Sequence, residues 1–424
     1  MTYAEALNYI HSLMRFGSRP GLERITELLK RLGDPQENLE ILHVAGTNGK
    51  GSTCTFLSSI LQAAGRKTGL YISPFVTAFN ERIQIDGRPI SDEALAAYTE
   101  RVKQVVESMP YDGCPITEFE FVTAVAFLYF YEQGCDAVVL EVGLGGRLDA
   151  TNVIKTPKIS VIARIALDHT AILGDTEGQI AFEKCGIIKP GCPVVTTADN
   201  SEEAMCVIKK IAAERGCELK ISDRADVKVL SSDIAGNRFS WQGEEYETAL
   251  AGEHQIGNAI NAVTAIKTAY PEIESETIKT GLRSAKFPAR CEVISSEPSV
   301  ILDGSHNPNG TAALARLLDA SDIKNAVAVV GFMADKDVRD AVFCLKGKFK
   351  KMITVKVQSN SRTMEAETLA DICREMCDVV IAAETYEQAV SLASDSDKII
   401  VFGSLYLAGD IRPILLKHFQ TKSN

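Results

Sequence analysis

The sequence predicts an α/β protein of two domains: a P-loop-type central-sheet domain, then a smaller Rossmann-like α/β domain. Three observations carry this. Residues 39–64 read as strand, glycine loop, lysine, hydroxyl and helix. Apolar strand-like runs then alternate with helical segments, the pattern of a mainly parallel sheet. Past residue 290 the alternation restarts, so domains of 1–290 and 291–424 are expected. A length of 424 residues is also too great for one ordinary domain.

Met1 to Arg15 reads as an amphipathic helix without the apolar core of a signal peptide. A loop with Gly17, Gly21 and two arginines follows, either a basic flap over a substrate or a plain surface loop. Leu39 to Ala45 is an apolar run of buried-strand type. It enters Gly46-Thr47-Asn48-Gly49-Lys50-Gly51-Ser52-Thr53, where glycines let backbone N–H groups turn toward phosphate oxygens. The helix that starts there adds its positive dipole end. Lys50 is placed to reach outer phosphates, and Ser52 or Thr53 to offer a hydroxyl to Mg²⁺. Gly51 separates the lysine from the Ser-Thr pair, so the strict P-loop spacing is not met. A glycine turn that merely caps a helix is the competing reading.

Further along, Thr68 to Ile72 is a strand ending in Ser73-Pro74-Phe75. Thr117-Glu118-Phe119-Glu120 opens an apolar helix with carboxylates in its first turn, which capping alone accounts for. Asp136 to Glu141 is an apolar strand running into a carboxylate and a glycine-rich turn, Gly143 to Gly146, with Asp149 beyond it. A carboxylate at a strand's carboxyl end is where nucleotide enzymes keep a Mg²⁺-holding acid. The next strand, Lys158 to Ile165, ends in Asp168-His169. A lone histidine is usually structural, but this one shares its strand edge with an acid. Lys184, near a helix C-terminus, suits the helix dipole and is not marked by composition.

Residues 200–250 alternate a helix with strand-like pieces around Trp241 and Tyr246 and carry no evident chemistry. Asn258 lies in the opening of a helix, and Phe287-Pro288-Ala289-Arg290 reads as the domain boundary. The second domain's first strand, Val300 to Asp303, ends in a polar cluster that includes Ser305 and His306.

The composition, 46% hydrophobic and 24% charged, is that of a soluble globular protein. A net charge of −11 argues against nucleic acid, so a phosphate site here must be locally basic or metal-assisted. No apolar run approaches a membrane span. The 11 scattered cysteines form no Cys-x-x-Cys pair, so neither a disulfide framework nor a zinc knuckle is indicated, and the cytoplasm is expected.

Taken together, the phosphate loop, Ser73-Pro-Phe, Phe79-Asn-Glu-Arg-Ile, Glu141 to Asn152, Leu167-Asp-His-Thr, Glu183-Lys184, Phe287 to Arg290, Asp303 to Pro308 and Gly403 to Leu407 resemble folylpolyglutamate synthase and dihydrofolate synthase. These belong to the Mur ligase superfamily of ATP-dependent amide-forming enzymes. The resemblance implies an ATPase first domain and transfer of phosphate from ATP to a folate carboxylate. The amine of L-glutamate then attacks the acyl phosphate. It implies ATP contacts at Thr47 to Thr53, Asn258, Arg290, Asp303 and His306, with Lys50, His169 and Lys184 catalytic. It implies two Mg²⁺ ions held by Ser52, Ser73, Glu141, His169 and Lys184, the lysine as a carbamate. Phe75, Thr117, Phe119, Glu120 and Asp149 would line the pterin side. ATP would bridge the two domains. Phe75 stands where many relatives have His, Cys185 where Ala is common and Ala289 where Gly is frequent.

The acceptor divides the readings. Folate gives a folylpolyglutamate synthase; dihydropteroate gives a dihydrofolate synthase, alone or as a second activity of the same site. A peptidoglycan Mur ligase is disfavoured, because 45 residues before Gly46 leave no room for a nucleotide-sugar domain. A non-catalytic P-loop switch would leave Glu141 and His169 without work. A monomer acting on small molecules is expected.

Overall fold

All five residues of β1 (Ile41–Ala45) are buried, as a central parallel strand covered on both faces must be. A computed structural model of the chain describes residues 1–16, 20–109, 115–360 and 362–420. The expected basic loop thus lies partly outside the described residues, at 17–19. The chain divides into two compact units. The first comprises Met1–Phe75, Asn80–Asp226 and Gly257–Ala285; the second comprises Val76–Phe79, Val227–Ile256 and Lys286 onward.

In the first unit β1 is joined by β2 (Thr68–Tyr71), β3 (Ile83–Ile85), β4 (Arg88–Pro89), β5 (Ala137–Glu141), β6 (Ile159–Ile162), β7 (Val194–Thr197) and β8 (Leu219–Ser222). Their order is β4-β3-β2-β5-β1-β6-β7-β8. β2, β5, β1, β6, β7 and β8 run parallel, and β3 and β4 form an antiparallel edge. Val44 of β1 stands opposite Glu141 of β5, and Ala45 opposite Ile162 of β6. The segments that follow β2, β5, β1 and β6 therefore leave the sheet side by side at its carboxyl edge. That edge is where open α/β sheets take ligands.

Helices cover the faces. Lys50–Ala63 starts directly from the glycine loop. The Ser275–Ser284 helix packs on it so closely that a Cβ at Gly281 would stand 2.7 Å from Ile60 N. Glu118–Glu132 is buried along most of its length and is opened by a capping box of Thr117 and Glu120. Glu177–Lys184 is opened by a second box of Thr176 and Gln179. At the amino edge of the sheet, Glu40 accepts from Tyr270 Oη (2.6 Å) and pairs with Arg66 (3.4 Å) and Lys158 (3.2 Å).

The second unit holds two sheets. β9 (Lys228–Asp233), β10 (Gly236–Trp241) and β11 (Glu244–Thr248) make an antiparallel meander in which Phe239 and Tyr246 stack at 5.6 Å. The larger sheet has β12 (Glu292–Ser296), β13 (Ser299–Leu302), β14 (Ala326–Val330), β15 (Phe349–Val355), β16 (Val380–Ala383) and β17 (Lys398–Phe402), ordered β12-β13-β17-β14-β15-β16. Only the β12–β13 pairing among these is antiparallel. Val327, Val329, Ile399 and Val401 enter one core, and Ala328, Val330, Ile400 and Phe402 the other. Strands apolar at every position thus feed cores on both faces, which is the expected mainly parallel α/β arrangement. No described helix is long and apolar enough to cross a membrane.

Candidate active site

The glycine loop leaves β1 and is pinned to the chain beyond β6. Thr47 N and Asn48 N donate to Arg164 O (2.8 and 3.0 Å), and Thr47 Oγ1 donates to Ala166 O (3.0 Å). A Cβ on Gly46 would meet Ala163 Cβ at 2.8 Å, so only glycine allows this approach. Gly49 takes a φ of +82° and lies against the Asn258 side chain. Thus Asn258, predicted to touch the nucleotide, sits on the loop. Lys50 Nζ folds back to Gly46 O (2.9 Å) and Thr47 O (3.2 Å). Ser52 is nearly buried, and Thr53 fully so.

Lys184 converges on the same carbonyl. Its Nζ donates to Gly46 O at 2.9 Å, and the side chain is 5% exposed. Burial, reinforced by the Lys50 ammonium, brings its pKa from 10.5 down to about 7. A small cleft is lined by Lys50, Lys184, Asp168, His169 and the Gly143–Gly145 turn. His169 has a φ of +49° and is exposed, 3.8 Å from the Asp168 carboxylate.

The Glu141–Asn152 segment is built to hold that cleft. Glu141 is 5% exposed, and its Oε2 accepts from Ser73 N at 2.9 Å, tying the ends of β5 and β2. Asp149 accepts from Leu144 N (2.9 Å) and Thr151 N (3.0 Å), and burial raises its pKa. A Cβ on Gly146 would stand 2.7 Å from Lys184 O and 2.8 Å from Glu183 O. Arg147 N donates to Glu183 O (2.7 Å), its guanidinium pairs with the Glu183 carboxylate (2.9 Å), and Asn152 Nδ2 donates to Arg147 O (2.9 Å). The turn and the end of the lysine-bearing helix are therefore clasped together.

Thr117 and Glu120 cap their helix: Glu120 Oε2 accepts from Thr117 N and Oγ1, both at 2.8 Å. Arg24, on the Glu23–Arg31 helix, also pairs with Glu120 at 3.0 Å, a partner with no sequence signal. The Phe119 ring lies against Gly143, where a Cβ would come within 2.6 Å of it. Phe75 is half-buried beneath the Arg82 guanidinium, 5.5 Å from the ring centroid, and Arg82 faces Glu118 at 3.8 Å. Phe119 is thus at the glycine turn, while Phe75 belongs to a neighbouring cluster with Arg82 and Glu118.

In the second unit, Asp303 follows β13 and is 7% exposed. Its carboxylate accepts from Ser305 N (2.9 Å), Cys291 N (2.9 Å) and Cys291 Sγ (3.2 Å). Ala289 and Cys291 both adopt positive φ, and Gly304 N donates to Ala289 O (2.8 Å), so the 289–291 turn is fixed to the end of β13. Arg290 projects over the Phe287 ring at 5.5 Å, and His306 Nδ1 donates to Gly304 O at 3.0 Å. The unit thus gathers Arg290, Asp303 and His306 at one strand end. Ser305 Oγ is buried there without a partner among the described residues, and the sequence marks it only as part of a polar cluster.

Comparison with known proteins then decides the family. Residues 44–266 match the Mur ligase middle domain, and residues 289–405 match the Mur ligase, glutamate ligase domain. The chain is a Mur ligase family member. Within it, the folylpolyglutamate synthase of Lacticaseibacillus casei is 35% identical over 430 residues, covering 98% of this chain and 99% of that one. The dihydrofolate synthase/folylpolyglutamate synthase of Bacillus subtilis is 42% identical over 348 residues, covering 79% and 80%. The chain also matches the probable bifunctional folylpolyglutamate synthase/dihydropteroate synthase of Haloferax volcanii at 37% over 429 residues, spanning half of that protein's length. The crystal structure of Thermotoga maritima folylpolyglutamate synthase superposes with a TM-score of 0.88 at 34% identity, covering 97% of this Mur ligase and 96% of that chain. A folylpolyglutamate synthase solved with AMPPCP and folate gives a TM-score of 0.79 at 34% identity, covering 98% and 100%. The expected α/β Mur ligase fold is the one found.

Proposed function

We propose that this Mur ligase joins L-glutamate to the γ-carboxylate of tetrahydrofolate, using ATP to form an acyl phosphate first. The observation that carries the reading is the Lys184 amine, buried beside Lys50 on the glycine-loop carbonyl with a pKa near 7. A lysine held this far below its usual pKa keeps a neutral fraction near neutral pH, as it must to take up CO₂ as a carbamate. A nucleotide switch has no use for a second buried cation at its phosphate loop. The AMPPCP and folate of the solved relative support ATP and a folate as ligands.

A carboxylate attacking a polyanion faces like-charge repulsion, and this chain lowers it by position and charge. Thr47, Asn48, Gly49, Gly51, Ser52 and Thr53 shape the loop around the phosphates. Lys50 exchanges its carbonyl partners for phosphate oxygens. Asn258 steadies Gly49 at the nucleotide, and Arg290, Asp303 and His306 are the second unit's ATP contacts. The donor set suits Mg²⁺: a nearly buried Glu141 carboxylate, the Ser52 and Ser73 hydroxyls and the His169 ring, with Lys184 as a carbamate supplying oxygen. No cluster of three His, Cys, Asp or Glu groups surrounds one point among the described residues, and Mg²⁺ characteristically takes one or two carboxylates plus phosphate and water. Two bound Mg²⁺ ions would supply charge neutralisation at the phosphates. Phe75, Thr117, Phe119, Glu120 and Asp149 form or support the pterin side, and the two domains are taken as residues 1–290 and 291–424.

The double name of the Bacillus subtilis relative favours a second acceptor, dihydropteroate, at the same site. ADP release measured with Mg²⁺-ATP separates the readings under four conditions: no acceptor, L-glutamate alone, tetrahydrofolate with L-glutamate, and dihydropteroate with L-glutamate. Turnover with tetrahydrofolate is expected. Turnover with both pterins makes the enzyme bifunctional, and turnover with neither refutes the proposal. Light scattering checks the expected monomer.

A further inference from the structure

His43 is a polar residue inside the apolar strand β1. It is 0% exposed and stands in register between Leu140 of β5 and Ser160 of β6. Its Nε2 lies 2.9 Å from Thr151 Oγ1, and Thr151 Oγ1 lies 2.5 Å from Asp149 Oδ1. The second Asp149 oxygen accepts from Leu144 N in the glycine turn. These four groups form a continuous buried chain from the middle of the sheet to the cleft that holds Lys50 and Lys184.

Counting protons gives the chain a direction. Burial raises the Asp149 pKa, but both of its oxygens already accept from backbone N–H groups, those of Leu144 and Thr151, and an ionised carboxylate so held only accepts. The single Thr151 hydroxyl proton is then spent on Asp149. The Thr151 oxygen must accept from His43, so the ring carries its proton on Nε2. Its Nδ1 is buried and has no partner among the described residues, which suits a bare nitrogen on a neutral ring. Burial, with the nearby Lys189 cation, pushes the ring down to about 3, so it stays neutral across the working range.

We propose that His43 is a positioning residue for the ligase reaction: its Nε2–H fixes Thr151, which fixes Asp149, which fixes the Gly143–Gly146 turn against Lys184. The role follows the logic by which a donor behind an active-site group sets that group's orientation. The inference rests on the proposed ligase function for its kinetic arm only. The mechanism leaves His43 untouched by substrate, so its removal acts on the turn and hence on rate rather than on nucleotide affinity.

The test combines a structural and a kinetic readout on the full chain. ¹⁵N-histidine NMR reads the tautomer of His43, assigned by loss of its signals in His43→Gln. The expected state is Nε2–H, unchanged from pH 6 to 8. Thr151→Val is expected to raise the hydrogen-exchange rate of the Leu144 amide at least tenfold, while Thr151→Ser keeps it near the parent. With whichever acceptor is turned over, His43→Leu is expected to lower kcat about tenfold with KM for ATP within twofold. His43→Gln, which presents an amide N–H near the same place, recovers most of the rate. An Nδ1–H ring, an unchanged Leu144 exchange rate in Thr151→Val, or equal rates in His43→Leu and His43→Gln overturns the relay. If no acceptor is turned over, the ligase reading fails, and the tautomer and exchange rates still decide whether the relay exists. If His43→Leu does not fold, the Thr151 pair carries the same decision.

Discussion

Lys184→Met exchanges a buried amine for an apolar side chain of similar length. Lys184 has its folded-state pKa depressed from 10.5 to about 7, so between these values the unfolded chain holds a proton that the folded chain lacks. The Lys184 contribution to the parent's stability must then rise with pH across that window. Each pH unit adds about 1.4 kcal/mol, and the whole window about 5 kcal/mol. The side chain is 5% exposed, so solvent screens little of this. Methionine carries no such term. Lys184→Met is therefore expected to exceed the parent in stability by about 5 kcal/mol below pH 7, and to lose that advantage as pH approaches 10.5. The assay is urea denaturation followed by tryptophan-independent circular dichroism at half-unit pH steps, in CO₂-free buffer. Added bicarbonate should stabilise the parent and leave Lys184→Met unmoved, because only the lysine forms a carbamate. Parallel stability curves for the two proteins would refute both the depressed pKa and the charge argument built on it.

Other sites give independent checks. Glu141→Ala is expected to raise the Mg²⁺ concentration needed for half-maximal turnover at least tenfold; an unchanged Mg²⁺ titration removes Glu141 from the ligand set. Gly146→Ala places a Cβ against the Lys184 and Glu183 carbonyls, with an expected loss of about 1–3 kcal/mol in urea and a fall in ligase rate. Parent-like values for both would show that the turn has slack. Arg24→Met leaves the Glu120 carboxylate buried without its guanidinium, an expected loss of about 3–5 kcal/mol, partly restored in the double variant Arg24→Met/Glu120→Gln. No recovery would mean that Arg24 acts through packing alone.

The parts of this protein legible in sequence are those made by local pattern. The run from Leu39 to Ala45, the glycine loop and the Thr117–Glu120 box are each specified within a dozen residues, and each forms there, the strand itself spanning Ile41–Ala45. Properties produced by distant neighbours were not legible. Lys184 looked like an ordinary helix-end cation because its lowered pKa comes from burial against Gly46 and from Lys50, far away in the chain. Arg24 showed no mark because its partner is 96 residues away. The meander of β9 to β11 lies in the second compact unit, where Ile234 N donates to Ser321 Oγ, a contact that no local window contains. His43 did leave a trace, a ring among five buried strand residues, and its meaning lies in Thr151.

The Glu40 cluster at the amino edge of the first sheet has its own consequence. Tyr270, Arg66 and Lys158 spend their polarity on Glu40 and, for Arg66, on Glu272 as well, with both cations also lying over the Tyr270 ring at 4.4 and 5.1 Å. At the opposite edge, two ammonium groups share one carbonyl and face a cleft. The sheet therefore has a settled pole and an unsettled one, joined by apolar strands that transmit little charge. Sequence drift at the settled pole would register in melting temperature alone, and drift at the other in turnover as well. A thermophilic version of this chain could be made by rewriting one end and copying the other.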